Sequence, residues 1–235
     1  MNNNEFFSFE DENVDFPFYR NGMLDDRTNL IVIIAPIVLF VLMTFCPIKF
    51  VDAHQQIIFF LVTLIPLLLL TKGRLGTFFR KPSSNDLRLV LVSYILYGVY
   101  YLIIAGLLSL IHFQTTKGDT SGTLTLLTFI TNVLQIIGEE LFRTFLFIVS
   151  LYILYKRSKN RKKSVTLSSA IVLLVFAMLH VYTYKFNIFQ ISLFQGLGSI
   201  FELFAYIKTK NLTLSVIIHM LVNVSYWIIL LNITF

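Results

Sequence analysis

Glu139, Glu140 and Arg143 stand together in Gly138-Glu139-Glu140-Leu141-Phe142-Arg143, with apolar chain from Leu134 to Ile137 before it and from Thr144 to Tyr155 after it. A carboxylate among apolar neighbours can be tuned into a base for water, and a guanidinium one turn away can hold a second carboxylate ionised. On a helix Glu139 shares a face with Arg143, while Glu140 lies about 100° round and stays within i,i+3 reach. One carboxylate can be held by Arg143 while the other faces a cavity. The rival role is a buried ion network that fixes packing, although such networks are often no more stable than apolar replacements. Each charge at the centre of a membrane span costs at least about 2.5 kcal/mol, which makes intramembrane charges functional candidates.

Two further apolar runs carry polar residues at helical spacing. Phe176-Ala177-Met178-Leu179-His180 ends in an imidazole that, taken alone, needs to do no more than bond a backbone carbonyl. In His219-Met220-Leu221-Val222-Asn223 an imidazole and a carboxamide share one face, fit either for interhelical bonding or for a site. Together the carboxylates, two imidazoles and an amide provide a base for water, a proton carrier and a donor for an oxyanion, which is the set that hydrolysis of an amide needs. Carboxylate and imidazole can equally hold Zn²⁺ with an open water position, although no His-Glu-x-x-His element is present. Glu202, preceded by Gln195, Gly196 and Gly198, reads first as a close-packing element and second as a lining of the substrate entrance; Asn132 and Gln135 border the cavity or bond a neighbouring helix. His54 and His112 fall at the ends of apolar runs and read as interfacial.

The chain that must position these groups is built for a bilayer. It is 56% hydrophobic and 14% charged, with 24 Phe, 11 Tyr and a mean hydropathy of +0.77, outside the range of a soluble domain. Apolar runs occur at about Asn29 to Cys46, Gln56 to Thr71, Leu87 to Ile111, Thr123 to Tyr155, Val165 to Val181, Asn187 to Ile207 and Leu212 to Leu231. The expected fold is therefore all-α, a polytopic transmembrane bundle of about seven spans. The fourth run would extend some 50 Å as one helix. It must tilt, protrude or break, and Gly138 is the obvious place for a break.

The net charge of +6 resides in short loops, which excludes nucleic acid as a partner and marks topology instead. Basic loops (Lys72 to Arg88, Lys156 to Lys163, Lys208 and Lys210) alternate with poor ones holding Lys49, Lys117 or Lys185. That alternation puts the N-terminus in the cytoplasm. Residues 1–27 read as an acidic arm, surface-lying or mobile, with no signal peptide, and residues 28–235 as one domain whose motif-bearing core is 123–235. Gly76 to Pro82 reads as a topology loop, with a short interfacial piece as the alternative. The single Cys46 reads as a small apolar residue. Depth is uneven: from the basic loop Glu139 lies roughly 24 Å and His180 roughly 25 Å along their helices, but His219 only about 12 to 15 Å from the start of its own. The seventh helix must begin deeper or tilt differently.

The ordered triplet of motifs resembles the CPBP intramembrane proteases, also called the CAAX protease and bacteriocin-processing or Abi family, over roughly the C-terminal half from Ile130 to Phe235. The first three runs carry no matching motif. The resemblance implies that Glu139 and His180 activate a water, that His219 and Asn223 stabilise the oxyanion, and that Glu140 and Arg143 support the site. It also admits a zinc-dependent route, with Glu139, His180 and His219 as ligands. It implies a multi-pass protein of the cell membrane that hydrolyses a membrane-associated peptide or protein precursor, with the lipid bilayer as its medium. The alternative is a non-catalytic bacteriocin self-immunity protein, or a regulator bound to a membrane partner. A transporter using Glu139, Glu140 and Glu202 as proton sites is disfavoured, because no inverted repeat is visible.

Overall fold

The computed structural model describes residues 8, 9, 11, 14–46, 49–116 and 125–233, the side chains of 49–53 and 229–233 excepted. The described residues form seven long helices and no strand: α1 Arg27–Phe45, α2 Lys49–Thr71, α3 Ser84–Leu110, α4 Leu126–Ser158, α5 Arg161–Met178, α6 Ile188–Thr209 and α7 Leu212–Ile233. Each lies on one of the seven apolar runs. Thr123, Lys117, the side chain of Lys49 and the last two residues, on which parts of the sequence reading fell, lie outside the described residues. Polar caps set the starts: Asp26 accepts from the Thr28 N–H ahead of α1, Ser83 and Asp86 close a capping box on α3, and Asn160 accepts from the Lys163 N–H ahead of α5.

Among the described residues four helices are long and apolar enough to cross a membrane: α1, α2 from His54, α3 and α6. Their outer faces are bare hydrocarbon, with Leu102 72% and Ile31 65% exposed. Helix α4 sits centrally against α1, α2, α5 and α7, and α3 closes the other side against α6 and α7. The core follows α4, where Leu141, Phe142, Phe145, Phe147, Ile148 and Leu151 are wholly buried.

A break at Gly138 does not occur; α4 runs unbroken through it for 33 residues. Gly138 serves close approach instead, since a Cβ there would lie 3.0 Å from the Phe59 carbonyl carbon and the Phe60 nitrogen of α2. Both atoms are backbone and cannot rotate away. This contact fixes the depth of Glu139 beside α2. Replacing Gly138 by Val should cost about 1–3 kcal/mol through overpacking, read as a lower thermal midpoint in detergent; an unchanged midpoint would contradict it.

At the basic end α7 begins inside the bundle, with Lys208, Lys210, Asn211 and Leu212 all buried. The Gly76 to Pro82 stretch is tied to the start of α7: Phe78 is wholly buried, its carbonyl accepts from the Leu212 N–H (2.8 Å), and Asn211 brackets the backbone of Arg80. This recessed start supplies the depth that His219 needs. The described part of the N-terminal arm packs on the same end, with Phe16, Phe18, Tyr19 and Leu24 buried. Lys208 donates to the Ser8 carbonyl (2.9 Å), Lys210 to the Asp11 carbonyl (2.6 Å), and Arg161 pairs with Asp15 (2.6 Å). Asp25 accepts from Lys156 and from Tyr152, both at 2.7 Å, and the Lys156 hydrogen bond first, then that of Tyr152, hold its carboxyl below the usual range. For a carboxyl so lowered, the docking contribution is present above the ordinary carboxylate range and is lost as pH falls through the lowered value.

Candidate active site

Helix α4 presents its two carboxylates to different surroundings. Glu139 lines a cavity of about 530 Å³, and its Oε1 accepts from Gln135 Nε2 one turn earlier at 2.7 Å. Glu140 is buried and turned away: its Oε1 is paired with Arg143 and lies 2.7 Å from His219 Nδ1. Arg143 therefore pairs at i,i+3, not with Glu139 at i,i+4. Its Nη1 reaches Glu202 Oε2 of α6 at 2.5 Å, its Nη2 lies 3.2 Å from His219 Nδ1, and its guanidinium stands 4.4 Å over the Phe176 ring of α5. Glu202, read from sequence as a packing element, is thus the second counterion of a buried cation. Its signal was present, a lone carboxylate inside an apolar run.

His180 and Phe176 are one unit. The His180 Nδ1–H donates to the Phe176 carbonyl at 2.8 Å, which leaves Nε2 for the cavity that His180 lines, and the two rings meet edge to face at 4.8 Å. Phe176 thereby supports the imidazole on one side and the Arg143 guanidinium on the other. From α7, His219 turns Nδ1 to Glu140 and Nε2 toward Glu139 Oε2 (3.9 Å), and Asn223 lines the cavity one turn on. Glu139, His180, His219 and Asn223 come from three structural elements and face one space large enough for a peptide segment and water. Glu140 and Arg143 lie behind that wall.

Residues 120–225 match the family model described as type II CAAX prenyl endopeptidase, Rce1-like. This stretch is similar to the Rce1-like endopeptidase domain of the CPBP family. The match spans α4, α5, α6 and α7 as far as residue 225, together with all three motifs, and supports protease activity in a membrane-embedded protein. The match leaves α1 to α3 outside it, yet Phe40 and Met43 of α1 and Gln55 and Phe59 of α2 complete the cavity. Comparison with curated proteins and with solved structures returns no match.

Two sets of carboxylate and imidazole groups at this site can be tested as metal ligands. Among the described residues Glu140, Glu202 and His219 bring one ligand atom each within 4.8 Å of one another, but the Arg143 guanidinium is bonded into that space. A second cation does not fit there. Glu139, His180 and His219, the set named from the motifs, do not approach one another so closely among the described residues.

Proposed function

We propose that the chain is an intramembrane endopeptidase in which Glu139 is the base for water. The observation that carries this is the shared cavity: a carboxylate outside the Arg143 ion network, an imidazole with Nε2 unspent, and a carboxamide all line it. Water held between Glu139 and His180 loses a proton as its oxygen attacks the carbonyl carbon of the scissile bond. The oxyanion that forms faces His219 and Asn223, and the proton passes to the leaving nitrogen as the carbon–nitrogen bond breaks. Glu140, Arg143 and Glu202 hold His219 in place from behind. A zinc-dependent route on Glu139, His180 and His219 would need their ligand atoms to draw closer together than they stand, and it would supply Lewis-acid polarisation of the carbonyl.

The substrate is a membrane-associated peptide or protein precursor, and the protein a multi-pass one of the cell membrane with seven spans and a cytoplasmic N-terminus. The gathering of the arm, Lys156, Arg161, Lys208 and Lys210 at one end supports that orientation. The test is cleavage by purified protein in liposomes of two CAAX-ended peptides, one prenylated and one not, with and without a chelator. New peptide fragments from either are expected. Intact peptides in every arm, with folded and inserted protein, would leave the non-catalytic immunity or regulatory role in its place.

A further inference from the structure

We propose that Tyr184 and Gln195 form a subsite that grips the substrate through its backbone, one to two residues from the bond that is cut. The inference rests on the endopeptidase reading. Both side chains line the cavity that holds Glu139 and His180. Gln195 Nε2 donates to the Tyr184 hydroxyl oxygen at 2.8 Å. A tyrosine hydroxyl that accepts this bond keeps its own proton for another acceptor, and the glutamine keeps Oε1 to receive a donor. One free donor beside one free acceptor is the complement of a peptide group, whose C=O accepts and whose N–H donates.

The fold commits backbone to building this pair. Gln195 belongs to a π-helical turn, Ser192–Gly196, in the middle of α6, and such turns collect at functional sites because they re-aim side chains. The turn lies close on α5: a Cβ on Gly196 would stand 3.1 Å from the Ala177 Cβ. Tyr184 is held one turn beyond His180, its N–H donating to the His180 carbonyl at 3.1 Å, with the two rings 6.3 Å apart. An extended peptide advances about 3.3 Å per residue, so a chain whose scissile carbonyl lies at His180 brings its next or next but one peptide group to Tyr184. Among the described residues no Lys or Arg lines the cavity. The ligand class is therefore an extended, uncharged peptide segment recognised by its main chain, not by a terminal carboxylate.

Binding is measured with Glu139→Gln protein in liposomes and a fluorescein-labelled decapeptide of Ala, Leu and Ser. Adding Tyr184→Phe or Gln195→Ala should each weaken binding about three- to tenfold, and combining them should weaken it no further than the worse single change, because the two act as one unit. In an otherwise wild-type enzyme, Tyr184→Phe should raise KM by the same factor and leave kcat within about twofold. Peptide affinity unchanged by either replacement, no binding to the Glu139→Gln protein, losses that add, or a fall in kcat with KM unchanged would each overturn the subsite. Tyr184-dependent binding without cleavage by the wild-type chain would uphold the subsite and remove the endopeptidase reading. Cleavage with Tyr184-independent binding would do the reverse.

Discussion

Replacing Arg143 by methionine should destabilise the folded protein by about 3–5 kcal/mol, the usual cost of removing one partner from a buried ion pair. Arg143 is 1% exposed and is the cation shared by Glu140 and Glu202, themselves 2% and 4% exposed. Without it two carboxylates face each other and the His219 ring with little access to water. Methionine fills much of the arginine volume, so the loss is electrostatic and not a cavity effect. The measurement is thermal unfolding in detergent together with the amount of protein inserted in the membrane. If the buried charges are the cause, Glu140→Gln and Glu202→Gln added to Arg143→Met should recover a large part of the loss, by coupling among residues of one network. An Arg143→Met protein as stable as the parent would contradict the network.

Glu139→Gln should do the opposite. Its side chain faces the cavity, and glutamine can keep the hydrogen bond from Gln135, so stability should stay within about 0.5 kcal/mol of the parent. Peptide cleavage should fall by about 10²- to 10⁴-fold, the range ascribed to a positioned general base. The two carboxylates are neighbours in sequence, yet one change is read in the turnover and the neighbouring network in the melting curve. A Glu139→Gln enzyme retaining more than about a tenth of the parent rate would remove Glu139 from the role of base.

The seven helices and the polar triplet were legible because charge and amide groups are costly inside apolar runs, and because helical spacing shows which of them share a face. Helical spacing alone left open which of Glu139 and Glu140 pairs with Arg143, since both lie within a turn of it; the motif resemblance put Glu140 there, and Glu202 stands on that side as a second counterion. Gly138 misled because a glycine that permits a kink and one that permits a neighbouring backbone to approach look alike until the neighbour, Phe59 and Phe60 of α2, is known. The depth of His219 was a puzzle for a similar reason. Counting from the basic loop assumes that a helix starts at the membrane surface, whereas α7 starts buried, roofed by Phe78 and by the aromatic side chains of the arm. The pair Tyr184 and Gln195 left no periodic trace, because one lies in a turn and the other in a π segment, where 3.6-residue spacing no longer applies.

The central claim is that water, activated from the cavity wall by Glu139, attacks the peptide carbonyl without a covalent intermediate on the protein. It is tested most directly by mass spectrometry of peptide cleaved in liposomes in H₂¹⁸O with hydroxylamine present. The account predicts a new carboxylate carrying one ¹⁸O and no hydroxamate, formed by the parent protein and lost with Glu139→Gln. A hydroxamate product, which marks a trapped acyl-enzyme, or equal product from both proteins, would contradict it.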